Sequence, residues 1–444
     1  MNKYRLDGCE IDSVELKALL VSRGLKVDRK VYQRYGKSAR LDVNPVACDC
    51  ILLSDGTVVQ LTDMGFHLKY LSGVLSWSNL KLLRYASQLG TDFSLRVEDS
   101  NDAGSRLTLY WREDFLDYVS LPPQTDFYHR KTANGLPFVG NAVLQGLDWV
   151  AFQCLWPCEF AASGHKCEYC FSGDVFEEFA RKGKLQPAAV EAGDVGEIVA
   201  SALWLDGCTC VQLTGGSTFD GMKEAFYLNG YLEAIAQAAA AVAGIAPSFP
   251  AVPDVPGTQE GAALPERASE KDTPSPIAEA KIAEMLLYIT LPKEASLIDG
   301  YFARGASRIA CSLEVADEQL AKRVTPGKIA FSTRQRHLDV LEYTAQRFGP
   351  GTAFSNFIIG LEPFESLRSG ASALAERGIL PTASVWMPMG RPVLGSMAPP
   401  GLDYYRRVKE HFAELYTRYR LEPPVSRGLN VCIERDIWNY AQGR

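Results

Sequence analysis

Leu147-Asp-Trp-Val-Ala-Phe-Gln-Cys154-Leu-Trp-Pro-Cys158-Glu-Phe-Ala-Ala-Ser-Gly-His-Lys-Cys167-Glu-Tyr-Cys170 opens the part of the chain that decides the fold. It begins as an apolar run of strand length and continues into a loop dense in cysteine. Similar runs follow at residues 208–215, 285–291, 309–315, 353–361 and 382–389. Between them lie stretches with helical spacing at 195–205, 227–242, 296–304, 333–347 and 365–377. In the first of these, Val195, Ile198, Val199, Ala202 and Leu203 fall on one helix face. Near-continuous apolar strands separated by helices predict a parallel sheet covered by helices. Six such units are too few for a closed eight-fold barrel. They suit an open, partial barrel or a doubly wound sheet.

Working outward, residues 1–140 read as an α+β extension. Residues 14–25 have helical spacing, 46–61 read as a hairpin turning at Ser54-Asp55-Gly56, 70–89 read as a helix, and 106–111 alternate as a strand does. The barrel-like part spans 141–395. It is interrupted by a disordered insertion at about 245–280, where residues 247–277 hold seven of the 24 prolines and too little apolar surface to order themselves. Residues 396–444 form a C-terminal helical extension, with a helix over 402–420 and a short strand over 429–433.

Composition narrows the function class. The 444 residues are 47% hydrophobic and 22% charged, an ordinary globular balance. A net charge of -7 gives no electrostatic reason for nucleic-acid binding. No run of apolar residues is long enough for a membrane span, and the first residues lack a signal core, so a cytoplasmic protein is expected. Of the 11 cysteines, those at Cys154, Cys158, Cys167 and Cys170 crowd one loop at the carboxyl end of the first strand. In α/β barrels that rim is where active sites form.

Closely spaced thiolates suit either zinc or an iron–sulfur cluster. All four could hold a structural zinc ion in a binding or scaffold protein. Three on a four-iron cluster would leave one iron free for a ligand. The Cys48/Cys50 and Cys208/Cys210 pairs read as buried thiols.

Cys167-Glu-Tyr169-Cys170 resembles the second half of the CxxxCxxC signature of the radical SAM superfamily, which follows the first barrel strand. The first half departs from it: eight residues separate Cys158 from Cys167 instead of three. The Elongator-type tRNA-modifying subunit has a similarly lengthened gap. The resemblance covers roughly residues 145–395 and implies a partial (β/α)6 barrel of the TIM type. It implies Cys158, Cys167 and Cys170 as ligands of a [4Fe-4S] cluster, with Cys154 as the substitute first ligand. The cofactor implied beside it is S-adenosyl-L-methionine, cleaved reductively to a 5′-deoxyadenosyl radical that abstracts hydrogen from a substrate. A flavodoxin- or ferredoxin-like protein would supply the electron.

Downstream strand ends carry the rest of the resemblance. Gly215, Gly216 and Ser217 stand where members have Gly-Gly-Glu, whose backbone binds the amino group of S-adenosylmethionine. Glu314 ends the fourth strand and is implied for the ribose hydroxyls. Arg334, or Arg336 beside it, is implied for the methionyl carboxylate, in a helix for which Ser332 is the expected N-cap. Ile358 and Gly360 match the GxIxGxxE adenine region, with Glu362 shifted by one position. Met389 lies in the turn after the sixth strand, also an adenine contact. The resemblance names neither a substrate nor a catalytic side chain.

Overall fold

The computed structural model of the chain describes residues 1–35, 50–60, 91–100, 104–123, 125–138, 141–154, 158–170, 190–242, 282–387, 394 and 397–444. The helix expected over 70–89, the insertion at 245–280, Cys48 and Met389 lie outside the described residues.

The chain starts with a hairpin. Asp7 and Gly8, with φ of 48° and 82°, turn β1 (Lys3–Leu6) back onto β2 (Cys9–Asp12). Asp-Gly suits a two-residue turn because both positions need positive φ. Asp12 then caps α1 (Ser13–Arg23). Its side chain accepts the Glu15 N–H while the Glu15 side chain accepts the Asp12 N–H, a reciprocal capping box. Next come β3 (Lys26–Val27) and α2 (Arg29–Tyr35), then the hairpin of β4 (Cys50–Leu52) and β5 (Val58–Gln60) around the expected turn. Strands β6 (Phe93–Ser100), β7 (Gly104–Trp111) and β8 (Asp114–Val119) complete a four-stranded sheet of order β3-β6-β7-β8.

The second sheet begins with an antiparallel pair, β9 (Ala142–Gln145) and β10 (Trp149–Gln153). After α3 (Glu159–Ala162) and α4 (Ala192–Leu205) come β11 (Cys210–Thr214), α5 (Gly221–Val242), β12 (Glu284–Tyr288), α6 (Leu297–Ala303) and β13 (Arg308–Ala310). Three helices follow β13: α7 (Glu318–Val324), α8 (Pro326–Phe331) and α9 (Arg334–Phe348). The sheet ends with β14 (Ala353–Ile359), α10 (Phe364–Ala375) and β15 (Leu380–Val385), and the chain finishes with α11 (Leu402–Tyr419) and α12 (Glu434–Ala441).

Strands β10 to β15 are parallel and lie in chain order, with β9 added antiparallel at one edge. This order has no reversal point, which a doubly wound sheet requires. The seven strands curl into a half-barrel, so the chain has the partial (β/α)6 architecture with an N-terminal α+β extension.

Alternation sorts the side chains. Val150, Phe152, Val211, Leu213, Met285 and Leu287 pack outward against Ile198, Val199, Leu232 and Ile235 of α4 and α5. Trp149, Cys210, Leu286, Ala310 and Phe354 share a second core, continuous with Leu16 and Leu20 of α1 and Phe412 of α11. Buried charges tie the ends of the chain together. Lys409 on α11 bonds Asp12 and Glu15, and Lys17 on α1 meets Asp436 on α12 at 2.7 Å.

Residues 428–433 strap the open side. Val385 N–H donates to Val431 O, and Ile433 N–H to Ala383 O, around an antiparallel bridge from Ser384 to Cys432. The expected strand over 429–433 is therefore real but only a bridge long, and it covers the exposed edge of β15. At the other edge, Gly146 in the β9–β10 turn has φ of 58°, and a Cβ there would stand 2.8 Å from the Gly428 carbonyl carbon.

Candidate functional site

The carboxyl ends of the parallel strands carry the site. Strand β10 delivers the chain to Cys154, whose N–H continues the ladder by donating to Thr214 O at 2.6 Å. The Cys154 thiol joins the outer core with Val150 and Phe152, and burial pushes its pKa up. Cys158 instead is half-buried and forms the N-cap position of α3.

The loop after β11 packs onto that position. Glu159 N–H donates to Ser217 O at 2.8 Å, and Ser217 N–H points at the Cys158 sulfur from 3.3 Å. A Cβ on Gly216 would stand 2.5 Å from the Cys158 Cβ, so only glycine permits this approach. Glu159 accepts the Thr218 hydroxyl at 2.8 Å and the Phe219 N–H at 2.6 Å, and meets Lys223 at 3.1 Å. Burial raises the Glu159 carboxyl, but these donors together hold it below the ordinary range.

The second half of the cysteine loop docks on α7 and α8. His165 N–H donates to Phe160 O at 2.8 Å, and Glu168 N–H to Val324 O at 2.8 Å. Cys170 N–H closes a tight turn onto Cys167 O at 3.1 Å. A Cβ on Gly327 would lie 2.6 Å from His165 O, so α8 is pressed against the loop. Phe160 is buried between the exposed rings of Phe219 and Phe331, and the ring of His165 stands edge-on to Phe331.

Cys167 reports how the loop is arranged. Burial pushes its thiol to about 12; Lys328 opposes this, while Cys170, Glu314 and Cys158 add to it. The thiols of Cys158 and Cys170 are thus within electrostatic reach of Cys167.

Among the described residues, no group of three or more His, Cys, Asp or Glu side chains is close enough to hold a single metal ion. A tetrahedral zinc site needs its sulfurs at about 2.3 Å from one point. The four-cysteine zinc arrangement finds no support among the described residues. Three half-buried thiols from one loop are, by their chemistry, a donor set that fits an iron–sulfur cluster.

Glu314 lies beyond β13 with φ of 70°, a left-handed conformation that is uncommon for a residue with a side chain. Its backbone joins β14 through Glu314 N–H to Asn356 O and Ile358 N–H to Glu314 O. Its carboxylate meets Lys328 Nζ at 2.6 Å and is within hydrogen-bonding reach of the Tyr169 hydroxyl.

Tyr169 also packs against a small apolar cluster of Val315, Ile358, Leu361 and Trp386. Gly360, with φ of 107°, keeps the strand end close to Trp386 and Pro400. Arg334 donates to Val315 O at 3.4 Å and shares a small cavity with Lys328 and His337, whereas Arg336 reaches Pro292 O. Burial, helped by Lys328, Arg334 and Arg336, pushes His337 down to about 4.

Cys158, Gly216 and Ser217 thus meet on one side of the loop, with Gly215 next to them in sequence. Cys167, Cys170, Glu314 and Ile358 meet on the other, with Gly360 at the end of β14 and Arg334 at the start of α9. Two expectations change in detail. The N-cap of α9 is Thr333, whose hydroxyl accepts the Arg336 N–H, because Ser332 precedes the cap. Glu362 is buried and accepts the Ala316 and Asp317 N–H groups, bracing the start of α7. Sequence reasoning passed over Lys328. Its signal was Thr325-Pro326-Gly327-Lys328, a helix start whose glycine must lie against another segment.

No family model matches the chain. It is 24% identical over 307 residues to bacteriochlorophyllide c C-7(1)-hydroxylase of Chlorobaculum limnaeum, covering 67% of each protein. A solved structure of coproporphyrinogen III oxidase from Escherichia coli, described as a radical SAM enzyme, matches with a TM-score of 0.31 and 13% identity. The match covers 57% of this chain, which spans half (50%) of that one. The cysteine loop at the carboxyl end of the first parallel strand and the sequentially ordered half-barrel are the features on which the chain's resemblance to the radical SAM superfamily stands.

Proposed function

We propose that this chain cleaves S-adenosylmethionine reductively at a [4Fe-4S] cluster bound by Cys158, Cys167 and Cys170. The observation that carries this reading is the meeting of two strand ends: Ser217 N–H faces the Cys158 sulfur at 3.3 Å, with side-chain-free Gly216 beside it. Cys154 is left out because its thiol belongs to the outer core. When bound, such a cluster supplies one-electron chemistry that yields a 5′-deoxyadenosyl radical able to abstract hydrogen from a substrate.

The chain's own residues do the positioning. Gly215, Gly216 and Ser217 offer backbone groups to the amino end of S-adenosylmethionine. Arg334 faces its carboxylate, Glu314 its ribose, and Ile358, Gly360 and Met389 its adenine. The catalytic barrel is assigned to residues 141–395, with 1–140 and 396–444 as extensions. A flavodoxin- or ferredoxin-like protein is the electron source. The curated relative makes a bacteriochlorophyllide the first substrate to try.

Anaerobic reconstitution followed by iron and sulfide analysis tests the reading. The protein should turn brown, and with dithionite it should release 5′-deoxyadenosine from S-adenosylmethionine. Cys167→Ala should abolish that release. A colourless protein holding one zinc ion through the loop cysteines would overturn the proposal.

A further inference from the structure

We propose that Lys328 is the fixed positive charge that sets the reduction potential of the cluster held by Cys158, Cys167 and Cys170, and that Glu314 is the residue that positions it. The inference rests on the cluster assignment made under Proposed function.

Lys328 is fixed in place. Its Nζ lies 2.6 Å from Glu314 Oε1 and 2.7 Å from Ser312 O, and its side chain is only 19% exposed. Its backbone is anchored, because Gly327 next to it is pressed against His165 O and Phe160. The segment is further tied to the cysteine loop by Glu168 N–H donating to Val324 O. Glu314 is held as firmly, with its backbone bonded to Asn356 and Ile358 and its φ at 70°. A buried ion pair gains little stability over apolar residues, and a left-handed glutamate is strained. Both occur together where the loop turns from Cys167 to Cys170, a combination that points to function.

The electrostatics supply that function. Helix α8 sets Lys328 against the loop that carries Cys167 and Cys170, with Gly327 pressed on His165 O and Glu168 N–H bonded to Val324 O at 2.8 Å. Reduction takes one electron from an external one-electron donor, moves no proton at Lys328, and adds negative charge to a site already carrying three thiolates. A fixed cation in a poorly solvated place favours the more negative state. Net charge around a cluster is one of the factors that set its potential. Because Glu314 is buried and Lys328 is mostly covered, added salt should screen the effect weakly.

The test is an anaerobic redox titration of the reconstituted full chain, followed by electron paramagnetic resonance without S-adenosylmethionine. Dithionite is the reductant. Lys328→Met should shift the midpoint to more negative potential. At the wild-type midpoint, its reduced-to-oxidised ratio should fall about tenfold, which is about 59 mV for one electron. Glu314→Gln should shift the midpoint the other way, Lys328→Arg should leave it in place, and the Lys328→Met/Glu314→Gln pair should return close to wild type. A purely structural role would not produce shifts of opposite sign.

Equal midpoints across these loaded variants would overturn the inference, whereas a wild-type protein that loads no cluster would overturn the reading under Proposed function instead. If Lys328→Met fails to fold, the charge-neutral pair and Glu314→Gln still decide the matter.

Discussion

Gly216 and Cys158 lie so close that a Cβ on the glycine would stand 2.5 Å from the cysteine Cβ and 2.7 Å from its nitrogen. The neighbour is backbone and the first side-chain atom, so nothing flexible can give way. Gly216→Ala must therefore push the loop after β11 off the cysteine loop. Overpacking of this kind costs about 1–3 kcal/mol. The variant should unfold at lower urea concentration and should bind several-fold less iron per chain after reconstitution. Wild-type iron content in Gly216→Ala would mean that this contact does not shape the site.

The loop cysteines should divide sharply. Cys154 is buried among Val150 and Phe152 on the outer face of the sheet, while Cys158 stands at the start of α3 beside Ser217. Cys154→Ala should keep full iron content and lose roughly 1 kcal/mol of stability, the common cost of a single substitution. Cys158→Ala should lose the brown colour. The reverse pattern in iron analysis would make Cys154 the first ligand.

Much of the barrel was legible because six apolar runs had strand length and lay between helical stretches. Apolar content marked each strand more reliably than its ends: the run at 208–215 contains β11, which occupies Cys210–Thr214. Strand β9 escaped notice because Ala142–Gln145 is short and alternates between buried and half-buried residues at a sheet edge. The Asp7-Gly8 turn was present in the sequence but joined strands of only four residues each. At the site, the cysteines announced themselves by spacing. Lys328 did not, because its significance depends on Glu314, beyond β13, reaching it on helix α8, and no local pattern encodes that.

Glu434 gives stability a pH dependence with a definite sign. It is buried at 5% exposure, and burial raises its carboxyl from 4.5 to about 7, with Lys17 opposing. One carboxylate oxygen, Oε2, has no hydrogen-bond partner. Below about pH 4.5 both folded and unfolded chains hold the proton. Between there and pH 7 only the folded chain holds it, so stability falls as pH rises and the full loss is present above 7. The loss is on the order of 3 kcal/mol. Glu434→Gln should raise the urea midpoint at pH 8 and change it little at pH 5. Equal effects at both values would show that Glu434 titrates normally.

Lys409 holds the two ends of the chain together. Its side chain is 6% exposed, and it bonds both Asp12 and Glu15, the two carboxylates that cap α1. Removing one partner of a buried ion pair strands the other, at a cost of about 3–5 kcal/mol. Lys409→Met should lower urea-measured stability by that amount near neutral pH. The loss should shrink in acid as the carboxylates protonate. A neutral effect at pH 7 would mean that Arg406, which meets Glu15 at 2.9 Å, suffices to neutralise the pair.

The strap across the half-barrel depends on Asn430. Its Oδ1 accepts the Gly146 N–H at 2.6 Å, its Nδ2 donates to Gln60 Oε1 at 3.0 Å, and its carbonyl accepts the Gln60 N–H at 3.0 Å. One residue thus joins the turn between β9 and β10 to strand β5, while its neighbours cover the edge of β15. Asn430→Ala leaves the Gly146 N–H and the Gln60 side chain without these partners. Each lost hydrogen bond contributes about 0.5–1.5 kcal/mol net, so losing the two predicts a loss of roughly 1–3 kcal/mol. The opening should be local before it is global. Hydrogen exchange should accelerate first at Gly146 and Gln60 and only later in β11 and β12, since the parallel strands keep their own ladders. Uniform acceleration across the sheet would mean that the strap is part of one cooperative unit with the barrel instead of a clasp laid over it.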